Sequence, residues 1–152
     1  GVSNKEAKHY IESYLAHYSG VDSYMKNVVE KANADGYVET MFGRRRNLPE
    51  LTSSKHMIRA FGERVARNMP IQGTAADIIK IAMITVDERM KAENLRARLV
   101  LQVHDELIVE APQDESMRVA LIVQEEMENA VKMSVPLTAD AAIGRTWYDA
   151  KG

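Results

Sequence analysis

The sequence predicts an α+β fold with helices packed on a small antiparallel β-sheet, and three observations lead there. Apolar residues recur at helical spacing over much of the chain. Two β-rich runs fold back across polar turns, and 45% hydrophobic with 28% charged residues is the balance of a globular protein that buries a core. The 152 residues leave room for one ordinary domain or for a piece of something larger.

Taken in order, Ser3-Asn4-Lys5-Glu6 fits a capping box, in which hydroxyl and carboxylate satisfy each other's end of a helix running to about residue 18. A second helix follows Gly20, where Val21, Tyr24, Met25, Val28 and Ala32 recur at helical spacing, and it stops before Asp35-Gly36. Residues 1–35 thus form a helical hairpin. The run from Tyr37 to Phe42, then Gly43 and an extended segment ending at Pro49, predicts a small β-hairpin carrying arginines. Residues 57–69 are helical again. Pro70, which lacks an amide hydrogen, and Gly73 predict a break or kink. Beyond them Ile78, Ile79, Ala82, Val86 and Met90 make the stripe of a long core helix ending near Asn94. Strands at 99–103 and 107–109 are separated by His104-Asp105-Glu106, a tight antiparallel hairpin with an acidic tip. Asp114 is placed to cap a helix reaching residue 133, and residues 136–143 are expected to supply a last strand.

Composition narrows the function. The absence of cysteine excludes disulfide scaffolds, thiolate zinc sites and cysteine nucleophiles. The amino-terminal residues lack the pattern of a signal peptide, and no uncharged apolar run approaches the ~18 residues of a membrane span, so a cytosolic protein without a membrane partner is expected. A net charge of -2 argues against avid nucleic-acid binding by the chain as a whole. The average conceals a polarity: residues 36–68 hold seven Lys/Arg against three Asp/Glu, whereas residues 104–131 hold one against eight. One region suits phosphates and the other suits cations, although solvated faces of opposite sign would look the same.

Three sets of residues could carry chemistry. A carboxylate on a stiff hairpin tip is preorganised, and Mg²⁺ binds through one or two carboxylates with waters and substrate phosphates as its other ligands. Asp105 is therefore half of a phosphoryl-transfer metal site, or a polar residue in a wet turn. Arg64, Asn68 and Gln72 recur every four residues and would share one helical face if Pro70 only kinks the helix. Amides that both donate and accept can read the minor-groove edge of a base pair. Arg44, Arg45 and Arg46 place positive charge on a hairpin, suited to a nucleic-acid backbone or simply solvated. No Gly-rich phosphate loop, paired-histidine zinc helix or nucleophile elbow is present.

Together these segments are far more specific than any one. Gly36-Tyr37-Val38-Glu39-Thr40, Gly43-Arg44-Arg45-Arg46, the run from Arg64 through Asn68-Met69-Pro70-Ile71-Gln72-Gly73-Thr74-Ala75-Ala76-Asp77, and Gln102-Val103-His104-Asp105-Glu106-Leu107 resemble, in that order, the carboxy-terminal part of family A DNA polymerases of the bacterial DNA polymerase I type. The resemblance covers essentially the whole chain. It implies an incomplete polymerase palm with part of the fingers: residues 1–35 as a helical hairpin of the fingers, and residues 36–152 as palm. By the same resemblance Asp105 is a ligand of catalytic Mg²⁺ and Glu106 its supporting acidic neighbour. Gln102 and His104 lie close to the primer terminus, and Arg64, Asn68 and Gln72 contact the minor groove of the new duplex end.

Two family features have no match. These are an upstream Asp-x-Ser-x-x-Glu segment supplying a second metal-binding aspartate, and the fingers helix that grips the triphosphate. Asp114-Glu115-Ser116 imitates the first, but Val119 stands where its glutamate belongs. The resemblance therefore implies a fragment, inactive alone, of a parent in the bacterial cytosol and nucleoid. In replication and repair the parent would transfer deoxynucleotides from dNTP to a primer 3′-hydroxyl on primer-template DNA, using two Mg²⁺ ions. The competing reading is a non-catalytic duplex DNA-binding module, and a metal-dependent hydrolase would need Glu106, Glu110 or Asp140 beside Asp105. A palm lacking a strand would leave an open edge, so a homodimer of the fragment is also expected.

Overall fold

A computed structural model describes residues 2–151. The chain divides into two compact units, 1–74 and 75–152, with the boundary inside one long helix.

The first unit opens with α1 (Asn4–His17), and the capping box forms as the sequence predicts. Glu6 N donates to Ser3 Oγ at 3.3 Å, and Ser3 N donates to Glu6 Oε2 at 2.8 Å. α2 (Ser19–Asp35) ends on Gly36, whose φ of 77° is the left-handed conformation a glycine cap adopts freely; its amide closes on the Ala32 carbonyl. Strands β1 (Tyr37–Glu39) and β2 (Arg45–Asn47) pair antiparallel. A 3-10 turn, Pro49–Thr52, leads to helix α3 (His56–Ala92). Ala32, Val38, Leu48, Leu51, Ala66 and Met69 form the core of this unit.

Of the break or kink expected at Pro70, the break does not occur: α3 is one helix of 37 residues with the proline inside it. Proline removes one rung of the ladder, the bond to the Ala66 carbonyl. The β1–β2 loop supplies other ties at that place. Thr74 Oγ1 donates to the Pro70 carbonyl and accepts from Met41 N at 3.0 Å, while Arg44 Nη2 donates to the Gly73 carbonyl at 2.9 Å. Gly73 makes the approach possible, because a Cβ there would lie 2.7 Å from Thr40 Cγ2. By length and composition α3 would also suit a membrane span, but its apolar stripe serves the cores of the two units.

In the second unit, β3 (Arg98–Val103) and β4 (Glu106–Glu110) pair antiparallel with a register shift between Leu99 and Leu101, followed by α4 (Ser116–Glu128) and the short α5 (Trp147–Lys151). Val86, Met90, Val119 and Ile122 are its buried centre, with Leu99, Leu107 and Val109 of the hairpin packed on them. Arg89 reaches from α3 to Glu125 and Glu126 of α4 at 2.6 and 2.7 Å, and Arg118 of α4 pairs back with Glu93.

Three expectations are corrected here. Asp114 does not cap α4: Glu115 holds that position without a side-chain cap, and both carboxylates bind Arg96 instead. The helix ends at Glu128 rather than near residue 133, and residues 136–143 form no strand. With the sheet reduced to two hairpins, the α+β class stands.

Candidate functional site

The β3–β4 turn holds two residues, not three, since Val103 pairs with Glu106. His104 takes φ = 53°, a left-handed conformation that costs a non-glycine residue roughly 1–2 kcal/mol. Gln102 Nε2 offsets part of that cost by donating to the His104 carbonyl at 2.6 Å. Such strained positions gather at functional sites. The turn leaves Asp105 exposed, with no hydrogen bond or ion pair among the described residues. Glu106 differs: it is half-buried, its Oε1 pairs with Lys151 Nζ at 3.2 Å, and its Oε2 is shielded from solvent without a hydrogen-bond partner.

On the first unit the continuity of α3 matters. Arg64, Asn68 and Gln72 lie on one exposed face, opposite the buried Ala66, Met69, Gly73 and Thr74. The amides of Asn68 and Gln72 make no hydrogen bond within the described residues, and the Arg64 guanidinium lies 5.8 Å from the Phe61 ring centroid. The three hairpin arginines have separate surroundings. Arg44 is tied to Gly73, whereas Arg45 pairs with Glu39 at 3.2 Å and stacks over Tyr37 at 4.4 Å. Arg46 is exposed and has no partner among the described residues.

The family model described as DNA polymerase family A matches residues 1–149. The chain belongs to DNA polymerase family A. It is 54% identical over 150 residues to DNA polymerase I of Bacillus caldotenax and 52% identical over 151 residues to that of Bacillus subtilis (strain 168). Each match covers 99% of this chain and 17% of the relative, so the chain spans about a sixth of the length of these curated proteins. Among solved structures it is similar to the POL domain of Pol1 from M. smegmatis in complex with DNA primer-template and dNTP, with a TM-score of 0.94 and 47% identity over 99% of this chain and 27% of that one.

Family A polymerases are metal-dependent, and the donor chemistry can be tested against that. Asp105 offers a hard oxygen donor, free and exposed, of the kind Mg²⁺ accepts. Glu106 is already committed to Lys151, and no group of three or more His, Asp or Glu side chains converges among the described residues. The residues fit one side of a metal site rather than a complete cage. Sequence reasoning missed Lys151 and the contacts of Arg44. The Thr146-Trp147-Tyr148-Asp149 pattern, a capping box that starts α5, was the available signal for the first.

Proposed function

We propose that this chain is the carboxy-terminal part of a longer bacterial DNA-directed DNA polymerase, with residues 1–35 belonging to the fingers and 36–152 to the palm. Its observation of greatest weight is the exposed Asp105 carboxylate, without a partner among the described residues, on a two-residue turn beside a Glu106 that is already paired. In this reading Asp105 is a metal ligand, and a second aspartate comes from chain outside this sequence. When bound, Mg²⁺ would supply Lewis-acid activation of the primer 3′-hydroxyl and neutralise the departing pyrophosphate. The protein's own residues do the positioning. Arg64, Asn68 and Gln72 would follow the minor groove of the duplex end, Arg46 would meet a phosphate, and Gln102 and His104 would border the primer terminus. Primer-template DNA and dNTP are the proposed partners, and the bacterial cytosol and nucleoid, in replication and repair, the proposed setting.

Alone, the chain should be inactive, because one aspartate cannot hold two divalent ions ~3.5–4 Å apart against their repulsion. Primer extension by the purified chain above an Asp105→Ala control would refute this. A second reading, duplex binding without catalysis, is supported by the amides of Asn68 and Gln72, which lie on one exposed face without hydrogen bonds among the described residues. It requires DNA affinity of the isolated chain that falls steeply with salt. Self-association through the open hairpin edge, with Val100 and Leu101 exposed, is a further proposal; light scattering that stays monomeric at every concentration would remove it.

A further inference from the structure

α5 is held in place by three separate devices. Gly144 allows the chain to fold back on itself, since a Cβ there would lie 2.5 Å from the Ala150 amide nitrogen and 2.9 Å from the Asp149 carbonyl carbon. Thr146 and Asp149 cap the helix reciprocally: Thr146 N and Oγ1 donate to Asp149 Oδ2 at 3.1 and 2.8 Å, and Asp149 N donates to Thr146 Oγ1 at 3.2 Å. One turn on, Lys151 Nζ lies 5.2 Å from the centroid of the Trp147 ring, which gives the flexible side chain a shelf. The result is an ammonium delivered to Glu106 Oε1 at 3.2 Å.

Glu106 has particular need of it. Its other oxygen, Oε2, touches neither solvent nor a donor, and Lys151 is the carboxylate's only partner among the described residues. A half-buried carboxylate deprived of its counter-charge turns toward the nearest cation. Beside Asp105, that cation would be the divalent ion.

We infer that Lys151 is a positioning residue of the catalytic centre: it neutralises Glu106 and holds it against the hairpin, so that Asp105 alone presents an oxygen to the metal. The inference rests on the polymerase reading above. The lysine touches neither substrate nor metal and acts only through Glu106. Because the pair is partly solvated, its worth to global stability is small, and its effect belongs to the geometry of the turn.

The test uses a full-length polymerase carrying this segment. Lys151→Met should lower kcat about tenfold, as loss of a group that orients a metal ligand typically does, while KM for dNTP and the melting temperature stay unchanged. Lys151→Arg should restore kcat. Backbone amide exchange at Asp105, Glu106 and Leu107 should quicken in Lys151→Met. In a Glu106→Gln background the same substitution should cost nothing further, because the partner is already gone. A wild-type kcat in Lys151→Met, an equal loss in both backgrounds, or no rescue by arginine would overturn the inference while leaving the polymerase reading intact. Failure of the unsubstituted enzyme to extend a primer would sink that reading and the inference together.

Discussion

The two β-hairpins of this chain look alike on paper, short antiparallel pairs with charged residues at or beside the turn, yet they spend their charge differently. In the β1–β2 hairpin the arginines are largely consumed inside the fold. Arg44 binds a carbonyl of α3, and Arg45 is shared between Glu39 and the Tyr37 face. In the β3–β4 hairpin the scaffold is held by other groups, by Gln102 on the His104 carbonyl and by Lys151 on Glu106, and Asp105 has no partner among the described residues. Charge on a hairpin is therefore no measure of what is available to a ligand. A group free of internal partners on a stiff support is the better sign.

The sharpest way to break the comparison is at Asp105. In a polymerase carrying this segment, Asp105→Ala should reduce single-turnover primer extension about a thousandfold, equivalent to ~4 kcal/mol of lost transition-state stabilisation, with the fold unchanged by circular dichroism. Next is Arg44→Ala, which removes a charged donor from the Gly73 carbonyl. It should destabilise the first unit by about 1.5–3 kcal/mol, read as a lower denaturant midpoint. Gly73→Ala should act in the same place, costing roughly 1–3 kcal/mol as the added methyl meets Thr40. Arg46→Ala should leave stability untouched and reduce the salt slope of DNA affinity by about one. A reversal of roles between Arg44 and Arg46 would remove the distinction drawn between the two.

The smallest effect concerns pH. Arg118 foremost, with help from Arg89, holds the Glu93 carboxyl below the usual carboxylate range. A group with a lowered folded pKa contributes stability above its unfolded pKa and loses it as pH falls through the folded one. The tie between α3 and α4 should thus weaken only on acidification below the ordinary range, and Glu93→Gln should flatten the acid limb of a thermal melt.

Much of this was legible in the sequence for identifiable reasons. The capping box at Ser3, the glycine stop at Gly36 and the existence of a hairpin turning at His104-Asp105, though not its register, are local patterns, set by neighbours in the chain. The choice between a break and a kink at Pro70 was not, because the contacts made at that place, by Thr40, Met41 and Arg44, come from some thirty residues earlier. Asp114 looks like a cap in the sequence but is not one, because Arg96, a partner distant in sequence, takes its carboxylate. The strand expected at 136–143 does not form: of its eight residues only Thr138 and Ile143 favour strands, and it has no paired neighbour among the described residues. For the candidate site, residue types and spacing pointed to Asp105, while its freedom and the pairing of Glu106 emerged only with the fold.

The claim on which the rest depends is that Asp105 touches a divalent ion. Replacing Mg²⁺ by Fe²⁺ in a polymerase carrying this segment, bound to primer-template and dNTP, and then adding peroxide and ascorbate should cut the backbone beside its metal ligands. Cleavage is expected at residues 104–106 and should be abolished by Asp105→Asn; cleavage that spares this turn, or persists unchanged in the variant, would contradict a metal contact at Asp105.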